Sequence, residues 1–274
     1  PYRTDASRVF RRLLRSHPTR KGVVGVATCD KGLPAMLMAL AATPSLPTIL
    51  VPGGVSLLSE ETAEDLGRIQ TIGARYSQGE ISLDYAAHAA CRSCGSAGGG
   101  CQFLGTAATA QVVAEALGLS LPHSALAPSG TEIWKDMGRR SALAMLDLEK
   151  NGLTTADILS EKSLENALAL HCAFGGSTNL IMHLPAIAHQ AGLRRPNVDD
   201  WRRFNAEIPR LVDALPNGPQ HFATVQVFLA GGVPEVMLHL RDMGKLHLDV
   251  MTVTGQTIGE NLEWWENSER RLRL

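Results

Sequence analysis

VVGVATCDKGLPAMLMALAATPSLPTILVPGG, residues 23–54, decides the fold. Val23 to Ala27 are apolar and β-branched, which suits a strand covered on both faces. Gly32 and Pro34 break that pattern. Leu33 to Ala42 then reads as a helix with Pro34 in its first turn, where the missing N–H costs nothing. Thr48 to Val51 is a second strand, closed by Pro52-Gly53-Gly54. Strand, turn, helix and strand within about 30 residues make a βαβ unit, which argues for a parallel sheet.

Before this unit, residues 1–20 read as a helix with Val9, Phe10, Leu13 and Leu14 on one face and arginines on the other, stopped ahead of Pro18. After it comes a polar excursion from Glu60 to Gly79 and a glycine-rich loop from Gly95 to Gly100. The rest is mainly helical: Thr106–Leu117, Thr131–Lys150, Lys162–Ala173, Asn179–Ala191, Asp199–Leu215 and Val233–Met243. Thr154 with Asp157 three residues on resembles a capping box, and Val250–Val253 is a candidate late strand. No repeat or low-complexity linker interrupts the chain. The expectation is one α/β domain over residues 1–274, a parallel or mixed sheet flanked by many helices.

Composition narrows the function classes. The 274 residues are 45% hydrophobic and carry a formal net charge of -1, so no broad basic face exists to neutralise nucleic-acid phosphates. The arginines at Arg8–Arg20 and Arg270–Arg273 read as solvated helix faces or termini. No stretch approaches the roughly 20 apolar residues of a bilayer span, and no secretory leader is recognisable. Five cysteines, three of them crowded at Cys91, Cys94 and Cys101, suit metal or redox chemistry in a reducing, cytoplasmic setting better than a disulfide framework.

Three stretches carry candidate chemistry. Cys29-Asp30-Lys31 stands where the first strand ends, the place where open parallel sheets bind ligands. A thiolate is a soft ligand for iron and a carboxylate a hard ligand for magnesium, so the neighbours would serve different metals. The bland alternative is an inert buried cysteine beside a helix-capping aspartate. In CRSCGSAGGGC, Cys91 to Cys101, glycines let backbone N–H groups approach a cluster sulfur. Cys91 and Cys94 with His88 also fit half a zinc knuckle, but its second ligand pair is missing. In FGGSTN, Phe174 to Asn179, exposed N–H groups at a helix start with Ser177, Thr178 and Asn179 make a receptor for a carboxylate or a hydroxyl-rich ligand. A plain helix cap explains the motif equally well. His171, His183 and His189 lie on apolar helices and read as packed, hydrogen-bonded histidines. Neither GxGxxG nor a P-loop nor GxSxG occurs, which speaks against nucleotide binding and serine hydrolysis.

Taken together, GVATCDKGLPAMLMALAA, PTILVPGG, GGGCQFLGTAATAQVVAEALGLSLP, AFGGSTNLIMHLPAIAHQAG and VMTVTGQTIGENL resemble the dihydroxy-acid and 6-phosphogluconate dehydratase family, in the family's order and over nearly the whole chain. DKGLPAMLMALAA, QTIGAR, PHSALAPSG, LPNGP, AGGVPEVMLHLRDMG and ENLEWWENSERR are most similar to its aldonate branch. The resemblance implies the amino-terminal type of domain, without the family's carboxy-terminal β-rich domain. It also implies an iron–sulfur cluster, 2Fe–2S more than 4Fe–4S, on three cysteines with one iron open to substrate. Cys29 matches the second cysteine and Cys101 the third, while Cys91 and Cys94 match no ligand. For Mg²⁺ it implies Asp30 and a carbamylated Lys31, with further acidic ligands outside this chain.

The implied reaction removes water from a sugar acid such as D-xylonate to give a 2-keto-3-deoxy acid. A serine base outside these residues would take the proton. The chain thus reads as an internal piece of a longer homo-oligomeric protein, dimeric or tetrameric, and by itself inactive. Acting on 6-phosphogluconate or a branched dihydroxy acid is the alternative within the family. A noncatalytic metal or redox module built on Cys91, Cys94 and Cys101 is the alternative outside it.

Overall fold

A computed structural model describes residues 2–57, 72–92, 100, 103–216, 218–220 and 222–274, with the backbone alone at 90–92. The first helix, α1 (Tyr2–Arg15), packs along α2 (Cys29–Ala41), which crosses over between β1 (Val23–Ala27) and β2 (Thr48–Pro52). The two strands pair in parallel from Val23 opposite Thr48 to Ala27 opposite Pro52, as the βαβ reading requires. They differ in burial. Every residue of β2 is buried, whereas β1 hides Val23 and Gly25 and leaves Val24 41% and Val26 56% exposed. The expectation of two covered faces therefore fails for β1. Gly25 faces α2 so closely that a Cβ there would lie 2.8 Å from the Met36 sulfur.

α3 (Ile72–Ser77) and α4 (Leu83–Arg92) follow, and the rest of the Glu60–Gly79 excursion up to residue 71 lies outside the described residues. α5 (Thr106–Ala116) is the central helix, with every residue from Ala107 to Ala116 buried. A helix buried on all sides belongs in a core, and its five alanines let neighbours approach closely. α2 packs on one side of it and α8 (Glu161–Phe174) on another. α6 (Glu132–Asn151) covers β2, with the Trp134 indole N–H donating to the Pro52 carbonyl at 2.8 Å.

Between α6 and α8, Thr154 and Asp157 form the anticipated capping box on α7 (Thr155–Ile158). α9 (Leu180–Ala191) lies against α2, and α10 (Val198–Glu207) against α8. α10 is shorter than the expected Asp199–Leu215 helix because Pro209 disfavours helical backbone just before it. α11 (Thr224–Leu229), α12 (Gly232–Asp242), α13 (Ile258–Glu266) and α14 (Glu269–Arg273) complete the chain. No late strand forms at Val250–Val253. Met251 makes one isolated antiparallel bridge to Thr257, and the Val253 N–H turns instead to the Gly118 carbonyl at 2.8 Å.

Candidate active site

The helix α2 begins four residues earlier than its apolar pattern indicates, on Cys29 itself. Thr28 precedes it without capping it, and Cys29 is held at φ 69°, in the left-handed region that ordinary side chains avoid. The Cys29 thiol is exposed, free, and 3.0 Å from an Asp30 carboxylate oxygen. Lys31 donates from Nζ to both Asp30 oxygens at 2.9 Å. Arg3 reaches across from α1, its Nε donating to the Asp30 carbonyl at 3.1 Å and its Nη2 lying 3.6 Å from the carboxylate. Partial burial works to raise the Asp30 pKa. The hydrogen bonds from Cys29 and Lys31 and the charges of Lys31 and Arg3 outweigh it, so the group stays below the usual carboxylate value. The same Asp30 contact raises the Lys31 ammonium.

The end of β2 runs past this corner. A Cβ on Gly53 would stand 2.4 Å from the Thr28 Cβ, so only glycine lets the two segments touch. Three residues on, Ser56 grips Gly100, its hydroxyl donating to the Gly100 carbonyl at 2.6 Å and accepting from the Gly100 N–H at 3.3 Å. Gly100 is pressed against Val55 and Ser129, where a Cβ would fall 2.7 and 2.5 Å from existing atoms. Segment 53–56 therefore touches the residue before Cys29 and the residue before Cys101. Cys101 and Cys94 lie outside the described residues. His88 and Cys91 lie on α4, with His88 exposed.

The FGGSTN turn docks on the first turn of α5. Asn179 donates from its side-chain amide to the Thr106 hydroxyl at 2.7 Å, Thr106 and Ser177 hydroxyls are 3.2 Å apart, and the Ser177 N–H donates to the Thr109 hydroxyl at 2.9 Å. From below, His171 Nε2 lies 3.0 Å from the Ser177 carbonyl. Thr178 is exposed. One turn into α9, His183 is buried with Nε2 unpartnered and within electrostatic reach of Arg3 and Asp30. Burial first, then the charge of Arg3, lowers its pKa to about 4 despite Asp30. His189, by contrast, is exposed rather than packed.

The starts of α2, α5 and α9 thus gather at one place, since His183 in the first turn of α9 lies within electrostatic reach of Asp30 in the first turn of α2, and Asn179 ties α9 to α5. Thr28 and Gly105, in the capping positions of α2 and α5, supply no side-chain cap, and neither do the residues before α11 and α12, whereas α6, α8, α10 and α13 are capped; the first amides of α9 bond to the Ser177, Thr178 and Asn179 carbonyls. Uncapped amides at helix starts favour anions. With an exposed thiol, a carboxylate kept ionised and uncapped N–H groups, the donor set fits an iron–sulfur cluster beside a hard cation. Among the described residues no three His, Cys, Asp or Glu side chains stand together as a metal site. The 430 Å³ groove bordered by Leu211, Phe222 and His239 shares no residue with this corner. Sequence reasoning missed Arg3, Thr106 and His183, which reach the corner only through the packing of α1, α5 and α9.

Residues 11–261 match the family model described as dihydroxy-acid/6-phosphogluconate dehydratase N-terminal. The chain belongs to this family. Over all 274 residues it is 65% identical to D-xylonate dehydratase YagF and 62% identical to D-xylonate dehydratase YjhG, both of Escherichia coli. It is 40% identical over 246 residues to a dihydroxy-acid dehydratase of Dinoroseobacter shibae, with 88% of this chain and 41% of that protein covered. The chain spans 42% of the length of the two Escherichia coli relatives. Among the described residues of this dehydratase-family domain, no helix is long and apolar enough to cross a membrane.

Proposed function

We propose that this chain carries the metal-binding part of an aldonate dehydratase that takes water from D-xylonate or a similar sugar acid and leaves a 2-keto-3-deoxy acid. The observation that carries the reading is Cys29, kept in a left-handed conformation with its thiol exposed at the end of β1 and followed at once by Asp30 and Lys31. The two D-xylonate dehydratase relatives support the aldonate over a branched dihydroxy acid or 6-phosphogluconate.

In this reading Cys29 and Cys101 are thiolate ligands of a 2Fe–2S cluster, and Asp30 is an oxygen ligand of Mg²⁺. When bound, the two metals supply Lewis acidity toward the leaving hydroxyl and toward the substrate carboxylate with its 2-hydroxyl. As an ammonium, Lys31 covers both Asp30 oxygens. As a carbamate it is anionic, uncovers them and offers oxygens of its own. Arg3 keeps Asp30 ionised and attached to the helix start in the meantime. The exposed Thr178 hydroxyl receives the substrate's anionic or hydroxyl groups. The proton acceptor is a serine elsewhere in the longer polypeptide, so the 274 residues alone are expected to give no turnover. A cytoplasmic homo-oligomer, dimer or tetramer, completes the proposal.

The test is to prepare the intact polypeptide anaerobically with Mg²⁺ and bicarbonate and to measure keto-acid formation from D-xylonate, L-arabinonate, D-gluconate, 6-phosphogluconate and a branched dihydroxy acid. Turnover of a pentonate, abolished by Cys29→Ser or Asp30→Ala, supports the reading. Loss of bound metal in Cys91→Ser or Cys94→Ser but not in Cys29→Ser, with no product from any acid, refutes it in favour of a redox module.

A further inference from the structure

Asn179 occupies the N-cap position of α9, yet its side chain makes no hydrogen bond to that helix. It donates instead to Thr106, 73 residues away, at the start of the helix that follows Cys101. Ser177 does the same by a second route, its hydroxyl 3.2 Å from Thr106 and its N–H bonded to Thr109. The turn that presents them is itself pinned. A Cβ on Gly176 would fall 2.7 Å from the His171 ring and 3.0 Å from the Thr109 methyl, and His171 also holds the Ser177 carbonyl. Thr178, between the two, is exposed and its side chain makes no hydrogen bond among the described residues.

From this division of labour we infer that FGGSTN has two separate roles. Ser177 and Asn179 are positioning residues that fix the first turn of α5, and through it the chain leaving Cys101, while Thr178 alone among the three meets the ligand. The inference rests on the dehydratase reading for the identity of cluster and substrate, but the brace itself requires neither. The physical need is plain. Gly105 gives α5 no capping side chain, and a helix start without one frays unless something outside it holds the first turn. Leaving that turn uncapped preserves its N–H groups for a cluster sulfur; bracing it through Thr106 and Thr109 hydroxyls keeps it in place.

The experiment compares Asn179→Ala, Thr106→Ala, the double variant and Thr178→Val in the intact polypeptide. Amide exchange at residues 105–109 is read in the metal-free protein, iron content and visible absorption after reconstitution, and D-xylonate binding last. Asn179→Ala is expected to speed exchange at these amides about fivefold to tenfold, the equivalent of one lost hydrogen bond, and to lower iron uptake. Thr106→Ala should be at least as large, because it removes the Ser177 contact as well, and the double variant should be no worse than Thr106→Ala alone. Thr178→Val should leave exchange and iron content as in the parent and weaken D-xylonate binding alone. Normal exchange and full iron in Asn179→Ala with weakened D-xylonate binding would overturn the assignment, as would unchanged D-xylonate binding in Thr178→Val. If the parent protein takes up no iron, the dehydratase reading falls while the exchange data still decide whether the brace exists.

Discussion

At the scale of single residues, Cys29 is in a backbone conformation that opposes its own side chain. A left-handed non-glycine residue costs about 1–2 kcal/mol, and glycine would relieve it at some loss through its freer unfolded state. Cys29→Gly should therefore raise the stability of the metal-free protein by about 0.5–1 kcal/mol while removing the proposed iron ligand. Urea unfolding of both proteins without metal, with iron content measured after reconstitution, checks the two halves; a less stable glycine variant would show that the Cys29 conformation is not strained. The position of Cys29-Asp30-Lys31 at the end of β1 was legible from the apolar run that precedes it. The strain was not, since nothing in a cysteine's identity or neighbours announces a positive φ. Arg3 was hidden for a different reason: it read as one more arginine on a solvated terminal helix, and only the docking of α1 on α2 gives it Asp30 as a partner.

At the scale of elements, α5 does more than fill the core. Glu115 accepts the backbone N–H groups of His123, Ser124 and Ala125 at 2.6, 3.2 and 2.9 Å. One turn earlier Gln111 accepts from Leu126 and donates to the Gly54 carbonyl. These two side chains hold a segment with two left-handed residues, His123 and Leu126, against the end of β2, where Ala127 and Ser129 pair with Val55. Glu115→Ala would strand three buried donors and is expected to cost at least about 3 kcal/mol. Gln111→Ala should cost less, about 1–3 kcal/mol, and should loosen Gly54 first. Thermal unfolding ranks the two, and a Glu115→Ala cost below that of Gln111→Ala would contradict this account. Local signals made most helices readable: apolar spacing, the Thr154–Asp157 box and prolines at ends. They misplaced the start of α2, which no capping side chain marks, and overran α10, whose apolar residues continue past Pro209 into a loop that packs without being helical.

At the scale of the molecule, buried titratable groups set a pH window. Burial lowers His123 and His183 to about 4 and lowers His171 as well, so all three are neutral in the fold. Their contribution is present above the ordinary histidine value of 6.5. For His123 and His183 it is lost as pH falls toward 4, at up to about 1.4 kcal/mol per pH unit for each, and His171 acts in the same direction. Glu115 acts in the opposite sense: burial raises it to about 8 against its three N–H bonds, so its contribution is present at low pH and lost as pH rises through 8. Above 6.5 only Glu115 of these four changes, and below it the three histidines outweigh it. The unfolding midpoint of the metal-free protein should therefore peak near about pH 6.5, and one that still climbed from pH 6 to pH 5 would refute the balance. The gathering of three helix starts belongs to this scale too. Each was legible as a helix, but their meeting depends on pairs such as Thr106 and Asn179 that local periodicity cannot connect.

β1 also has a consequence for handling the protein. Among the described residues no strand lies on its outer edge, and two valines stand in water beside that edge. An open strand edge with apolar side chains is a template on which further chains can add, so colloidal behaviour rather than folding is expected to limit this chain at high concentration. Val26→Lys places a charge on the exposed position without disturbing Val23 or Gly25 against α2, and light scattering of concentrated samples should fall while the unfolding midpoint stays within about 1 °C.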